Sequence, residues 1–179
     1  MEEFIITPPP EYPFQMTVAD MFQHDGHMYM AYADRLTGWL ELAHFPHCTS
    51  SSHIKTQLRR YFARWGAPEQ ISTDSGTNLA SEEMREFFKL WGVSVRLSSA
   101  QYPQSNGRAE AAVKVGKQII MANKGSGSNL DTDKSSLAKL QYLNTPLHGM
   151  NKSPTQMAAG RQLRDGVPTA RWHLTVDKH

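Results

Sequence analysis

Three carboxylates stand where a fold alone gives them little reason to be. Asp20 lies near the end of an otherwise apolar stretch, FQMTVADMF (14–22). Asp74 directly follows a short strand-like run, QIST, and precedes Ser75-Gly76, while Glu110 sits in a helical stretch whose other charges are basic. Acids leaving strand ends and an acid projecting from a helix can converge where a sheet edge meets a helix. Three carboxylates around one point cannot all stay ionised without a cation, and hard oxygen ligands favour Mg2+ or Mn2+. Two such ions can activate an attacking oxygen and stabilise the leaving oxygen of an in-line phosphoryl displacement. Each acid also has a plainer reading. Asp74 before Ser-Gly suits a turn, Asp20 can pair with a nearby base, and Glu110 can pair with Lys114 four residues on.

The composition sets the frame for these acids. The chain has 179 residues, within the roughly 100–200 residues of a single domain. With 39% hydrophobic residues and a net charge of +2, it has the means for a core and lacks the signature of a disordered chain. Cys48 is the only cysteine, which excludes an intrachain disulfide. No apolar run reaches the roughly 18–20 residues that span a bilayer, so no membrane partner is expected. The start, MEEFIITPPP, is acidic and unlike a secretory signal, which leads to the expectation of an intracellular, reducing environment. Charge is unevenly spread: residues 1–50 carry net −6 and residues 51–179 net +8. Between Lys89 and Lys124 there are six bases and a single acid, Glu110, which suggests a polyanionic partner and a reason to keep that carboxylate.

The elements that must position the acids follow from period and punctuation. Residues 1–13 read as an extended lead-in, with TPPPEYP at 7–13. Strands are expected at 14–22, 27–34 and 39–46, joined by Asp25-Gly26 and Thr37-Gly38 turns into an antiparallel meander. Ser51 or Ser52 can cap a helix in which Ile54, Leu58, Tyr61, Phe62 and Trp65 recur at helical spacing, ended by Gly66. A fourth strand at 70–73, a helix capped by Ser81 and a fifth strand at 93–97 follow, then a helix from about 105 to 121. Residues 123–136 read as a mobile surface loop, and a further helix is expected over 136–144. Ser153-Pro154 to Gly160 has the punctuation of a short helix, and 161–179 read as a basic tail. The order β-β-β-α-β-α-β-α-α predicts an α/β fold: a five-stranded mixed sheet, three antiparallel strands and then two more, flanked by helices. The helical aromatics are expected in its core.

The context of the acids resembles a known family. Ser72-Thr73-Asp74-Ser75-Gly76-Thr77-Asn78 and Tyr102-Pro103-Gln104-Ser105-Asn106-Gly107-Arg108-Ala109-Glu110 are similar to the catalytic core of retroviral and gypsy-type (LTR retrotransposon) integrases, and the 35 residues between Asp74 and Glu110 match that family's spacing. Val18-Ala19-Asp20-Met21-Phe22 resembles the segment of its first acid. Gln141 to Pro146, Ser153-Pro154 and Gly160-Arg161 resemble segments of gypsy-type elements. The resemblance spans roughly 14–168 and places the core at 14–160.

The resemblance implies an RNase H-like fold in which Asp20, Asp74 and Glu110 bind two Mg2+ or Mn2+ ions and catalyse 3′-end processing and strand transfer of element DNA into target DNA. Lys114 and Lys117 match lysines that hold element-end DNA, Asn106 a polar residue of an active-site loop, and Thr77 a position near target DNA; Arg108 is grouped with these DNA contacts. DNA, a homodimer or higher integrase oligomer, and a nuclear location after cytoplasmic synthesis follow as expectations. Asp34 resembles a family aspartate outside the triad. His44, His47, Cys48 and His53 lack a Cys-x-x-Cys pair and are not expected to hold zinc. The chain shows neither the family's His-His-Cys-Cys module nor its C-terminal small β-barrel, so an isolated core is expected. Two other readings stand beside this one: a host-domesticated, catalytically idle core acting as a DNA- or protein-binding module, and another RNase H-like nuclease or transposase.

Overall fold

The structure, a computed structural model, describes residues 8–46, 49–74, 78–97, 107–123 and 129–176. Five strands, β1 (Met16–His24), β2 (His27–Asp34), β3 (Leu40–Phe45), β4 (Gln70–Thr73) and β5 (Ser94–Leu97), form one sheet in the order β3-β2-β1-β4-β5. Among the described residues six α-helices accompany them: α1 (Ser51–Trp65), α2 (Glu82–Leu90), α3 (Gly107–Ala122), α4 (Asp133–Leu143), α5 (Pro154–Ala159) and α6 (Arg171–Leu174). The sheet is antiparallel from β1 to β3 and parallel from β1 through β4 to β5. This is the five-stranded mixed sheet flanked by helices that the sequence leads one to expect.

Local chemistry explains most boundaries. Asp25 and Gly26 take φ of 51° and 77°, the left-handed pair of a two-residue hairpin turn, and set His24 opposite His27. Ser50, Ser81, Thr132 and Ser153 each accept the backbone N–H three residues on, in the first turn of α1, α2, α4 and α5. Two expectations shift as a result. The cap of α1 is Ser50, with Ser51 already helical, and α4 starts at Asp133 because Thr132 caps it within the stretch expected as loop. The Asn123 side chain donates to the Asn129 carbonyl (2.6 Å) and accepts from Thr132 Oγ1 (3.3 Å), which ties the start of α4 to the end of α3.

Consecutive residues of β2 point to opposite faces, and each face meets a helix. Tyr32 stacks on Tyr61 of α1 at 5.2 Å between ring centroids. On the other face Ala31 pairs in register with Leu42, and α3 crosses there with Gly116 against Leu42 and Leu40. A Cβ at Gly116 would stand 2.8 Å from Leu42 Cδ2, so glycine sets how closely α3 approaches the sheet. Ile54, Leu58, Ile71, Met84 and Leu40 are fully buried between these layers, and the helical aromatics Tyr61, Phe62, Phe87 and Phe88 belong to the same core.

Two buried acids stabilise this frame. Asp34 accepts from the Phe14 N–H (2.8 Å), the Thr37 N–H (3.0 Å) and the Thr37 hydroxyl (2.8 Å), ordering the turn into β3. Burial raises its carboxyl above the ordinary value and these hydrogen bonds act against that rise. Glu41 accepts from Trp39 Nε1 (3.0 Å), Arg64 Nη1 of α1 (3.0 Å) and Lys139 Nζ of α4 (3.1 Å), joining three elements through one side chain.

The same turn contains Gly38, at φ 76° and packed by α4 and its exit. A Cβ there would lie 2.7 Å from Leu147 Cδ1 and 3.3 Å from Tyr142 Oη, whose hydroxyl donates to the Gly38 carbonyl at 2.7 Å. Gly38→Ala is therefore expected to cost about 1–2 kcal/mol, lowering the melting temperature by about 3–6 °C in a thermal scan.

The downstream segments around Asn144, Thr155 and Leu163 meet at one polar knot. Asn144 donates to the Leu163 carbonyl (2.7 Å) and accepts from the Leu163 N–H and Thr155 Oγ1 (both 3.0 Å). Beyond Gly160 the chain turns back through α6, with the Gln162 N–H donating to the His173 carbonyl at 2.7 Å.

Candidate active site

Asp20 is not at the end of its strand. β1 continues four residues to His24 because its antiparallel ladder with β2 runs to the hairpin, pairing Asp20 with Ala31. What ends near Asp20 is the parallel ladder with β4, whose last pair is Val18 with Ser72. Two residues beyond that pair in sequence come Asp20, still within β1, and Asp74, just past the end of β4. Asp74 is exposed just past β4, and Asp20 keeps 20% of its side chain open.

Glu110 is carried by the first turn of α3, exposed, and makes no ion pair among the described residues; the pairing with Lys114 is not formed. Lys114 is exposed one turn further on. Lys117, seven residues after Glu110, lies on the same side of α3 and about 10 Å along its axis. Its Nζ stands 3.1 Å from Asp20 Oδ2 and 5.3 Å from the centre of the Phe22 ring. Arg108 donates from Nη1 to the Leu36 carbonyl and thereby fastens the start of α3 to the turn after β2. Thr77 and Asn106 lie outside the described residues.

The sequence singled out the acids but not what holds them. Sequence reasoning missed that Lys117 faces Asp20, since the two are remote in sequence; the only signal is that Lys117 and Glu110 share a helix side. Among the described residues no three His, Cys, Asp or Glu side chains are grouped closely enough to hold a metal ion together. The structure thus brings Asp20 to Lys117 by contact, sets Asp74 just past the end of β4, and leaves Glu110 apart. The donor set fits a hard cation in kind: carboxylate oxygens past the end of the β1–β4 ladder, one of which already holds an ammonium as a stand-in cation. Of the histidines named above, His44 meets His27 (Nε2 to Nδ1, 2.9 Å) and His53 meets Ser50 Oγ (2.6 Å), while His47 and Cys48 lie outside the described residues. A cleft of about 590 Å³ between α1 and α2, lined by Lys55, Arg59, Glu83, Phe87 and Trp91 among others, contains none of the candidate residues.

No family model matches the sequence. The chain is 36% identical over 110 residues to an uncharacterized protein of Caenorhabditis elegans, K02A2.6, covering 60% of this chain and 8% of that one. It is 30% identical over 96 residues to the Pol polyprotein of Radiation murine leukemia virus (strain Kaplan), covering 53% and 16%. Over 86 residues it is 30% identical to the Gag-Pol polyprotein of Feline leukemia virus, covering 48% and 5%. The chain thus spans between 5% and 16% of the length of these relatives. Among solved structures it is similar to a chain of the simian T-cell lymphotropic virus intasome in complex with PP2A regulatory subunit B56 gamma, with a TM-score of 0.68 and 21% identity over 96% of this chain and 63% of that one. It is also similar to the catalytic core domain of BIV integrase, with a TM-score of 0.65 and 17% identity over 82% and 94%.

Proposed function

We propose that this chain, whose fold is the RNase H-like fold of a retroviral-type integrase catalytic core, is a divalent-metal-dependent polynucleotidyl transferase that processes DNA 3′ ends and joins them to target DNA. The observation that carries this reading is a pair of carboxylates beyond the end of one parallel ladder, Asp20 within β1 and Asp74 just past β4, on a sheet whose strand β1 also packs against α3, the helix that bears Glu110. Likeness to retroviral Pol and Gag-Pol polyproteins supports it from the sequence side.

Asp20, Asp74 and Glu110 would hold two Mg2+ or Mn2+ ions. When bound, those ions supply Lewis-acid stabilisation of the charge that develops at the phosphodiester. The work of the chain itself is positioning. Lys114 and Lys117 project from α3 on the side of Glu110 and bind backbone phosphates, fixing a strand in register without reading its bases. Arg108, turned to the Leu36 carbonyl, keeps the first turn of α3 and hence Glu110 in place, and Asn106 and Thr77 belong with the DNA contacts in this reading. Two displacements follow in turn: water attacks a phosphodiester near the element's 3′ end and breaks its P–O3′ bond, freeing the 3′-hydroxyl, which then attacks a target phosphodiester and displaces a 3′-hydroxyl of the target strand. A homodimer or larger assembly on DNA, as in the intasome to which the chain is similar, and action in the nucleus complete the proposal, with gypsy-type elements as its source.

The test is an assay of the wild-type chain on duplex oligonucleotides that carry a panel of terminal-repeat ends. Nicking and joining that require Mg2+ or Mn2+ and stop with a chelator are expected; products formed equally well in chelator would sink the proposal. One observation favours a second reading, a catalytically idle DNA-binding core: the Asp20 charge is already matched by Lys117. Calorimetric titration separates the two, because an idle core takes up neither Mg2+ nor Mn2+.

A further inference from the structure

We propose that the Lys117 ammonium is a resident counter-cation of Asp20, which a divalent ion must displace, so that loading the acids releases a lysine for a DNA phosphate. The inference rests on the metal-dependent reading above and adds a coupling between its two ligands.

The ammonium is held by two side chains of one strand. Asp20 and Phe22 are two residues apart on β1 and so share a face. Lys117 Nζ reaches Asp20 Oδ2 at 3.1 Å and the Phe22 ring at 5.3 Å from its centre, a charge contact and a cation–π contact together. The helix backbone beneath is fixed, because Gly116 brings α3 to within contact of Leu42 and Leu40. The side chain is the moving part: it is 41% exposed and ends a flexible four-carbon stem, so it can leave Asp20 while α3 stays in place.

A divalent ion on Asp20 and Asp74 would sit beside this ammonium, and like charges sharing one carboxylate repel. Ion and lysine therefore compete for Asp20, and competition is reciprocal: what Lys117 takes from metal affinity, the metal takes from the hold of Asp20 on Lys117. A lysine that only contacts DNA makes a different prediction. Its removal weakens DNA binding and leaves the affinity for metal where it was.

Mn2+ titrations of the full chain by calorimetry, in the wild type and in K117Q, K117R and D20N, decide between them. Neutral Lys117→Gln is expected to bind Mn2+ about fivefold more tightly than the wild type. Lys117→Arg, which keeps the charge, stays within about twofold of the wild type, and Asp20→Asn loses Mn2+ binding. In parallel, saturating Mn2+ strengthens the wild type's hold on a short duplex, and this gain shrinks in Lys117→Gln. If the wild type binds Mn2+ and Asp20→Asn does not, yet Lys117→Gln binds it no more tightly than the wild type, the counter-cation role is overturned and the metal reading stands. If the wild type itself takes up no Mn2+, the metal reading is overturned and the counter-cation falls with it.

Discussion

Exchanging Glu110 for glutamine is expected to leave the fold intact while reducing metal-dependent nicking by at least about 10²–10³-fold. The two halves of that expectation have separate grounds. Glu110 is exposed and forms no ion pair among the described residues, so its charge contributes nothing measurable to packing. The melting temperature should stay within about 2 °C of the wild type, as for surface substitutions generally. Glutamine keeps the shape and loses the negative charge, and only a charge requirement at the reacting phosphate would then be felt. Nicking of labelled duplexes at matched protein concentration, with a thermal scan of the same samples, checks both at once. Undiminished nicking in Glu110→Gln would falsify its role as a metal ligand.

The second large effect concerns stability. Glu41→Ala removes the acceptor shared by Trp39, Arg64 and Lys139, leaving two cations and a buried indole N–H behind. Breaking a buried ion pair from one side costs about 3–5 kcal/mol. Arg64 and Lys139 keep 53% and 30% of their side chains in water and can turn outward. The low end, about 3 kcal/mol, is therefore expected in urea unfolding. The pH dependence has a definite sign. Burial alone would raise the Glu41 pKa, but the charge of Lys139, the Trp39 hydrogen bond and Arg64 together hold it below the ordinary value. A carboxyl depressed in the folded state stabilises above its unfolded pKa, about 4.3. That contribution is lost as pH falls through the lower, folded value. Urea midpoints of the wild type should thus drop more steeply below about pH 4.5 than those of Glu41→Gln. Parallel curves would show that Glu41 carries no such linkage.

What could be read from the sequence was whatever depends on near neighbours. Asp25-Gly26 announced a hairpin because positive φ at two successive positions selects those residues, and the structure has both. Serines ahead of apolar periodicity announced helix starts, displaced only to Ser50 at α1, where two further serines offered rival caps. The early start of α4 escaped notice because Thr132 is embedded among polar residues that carry no periodic signal. The elements bearing Asp20, Asp74 and Glu110 were legible in the same way, and the match to integrase-type cores placed them in one fold. Contacts between remote residues were not legible. Nothing near Glu41 in the sequence announces its two cationic partners, which lie 23 and 98 residues away. Asp20 seemed to mark a strand end only because nothing in the sequence shows which of its two neighbouring ladders stops there.

The sheet order β3-β2-β1-β4-β5 also sets a timetable. The three antiparallel strands are joined by short turns and close small loops, whereas β4 reaches β1 only after α1 has been spanned. Short-range pairings carry the smaller entropic cost and form first. Asp20 is then in place within its hairpin while Asp74 still belongs to an undocked segment, and the two become neighbours only when the parallel half of the sheet zips onto the antiparallel half. Any reaction that requires both acids is consequently withheld from a partly folded or newly emerging chain, and becomes available only with the completed sheet.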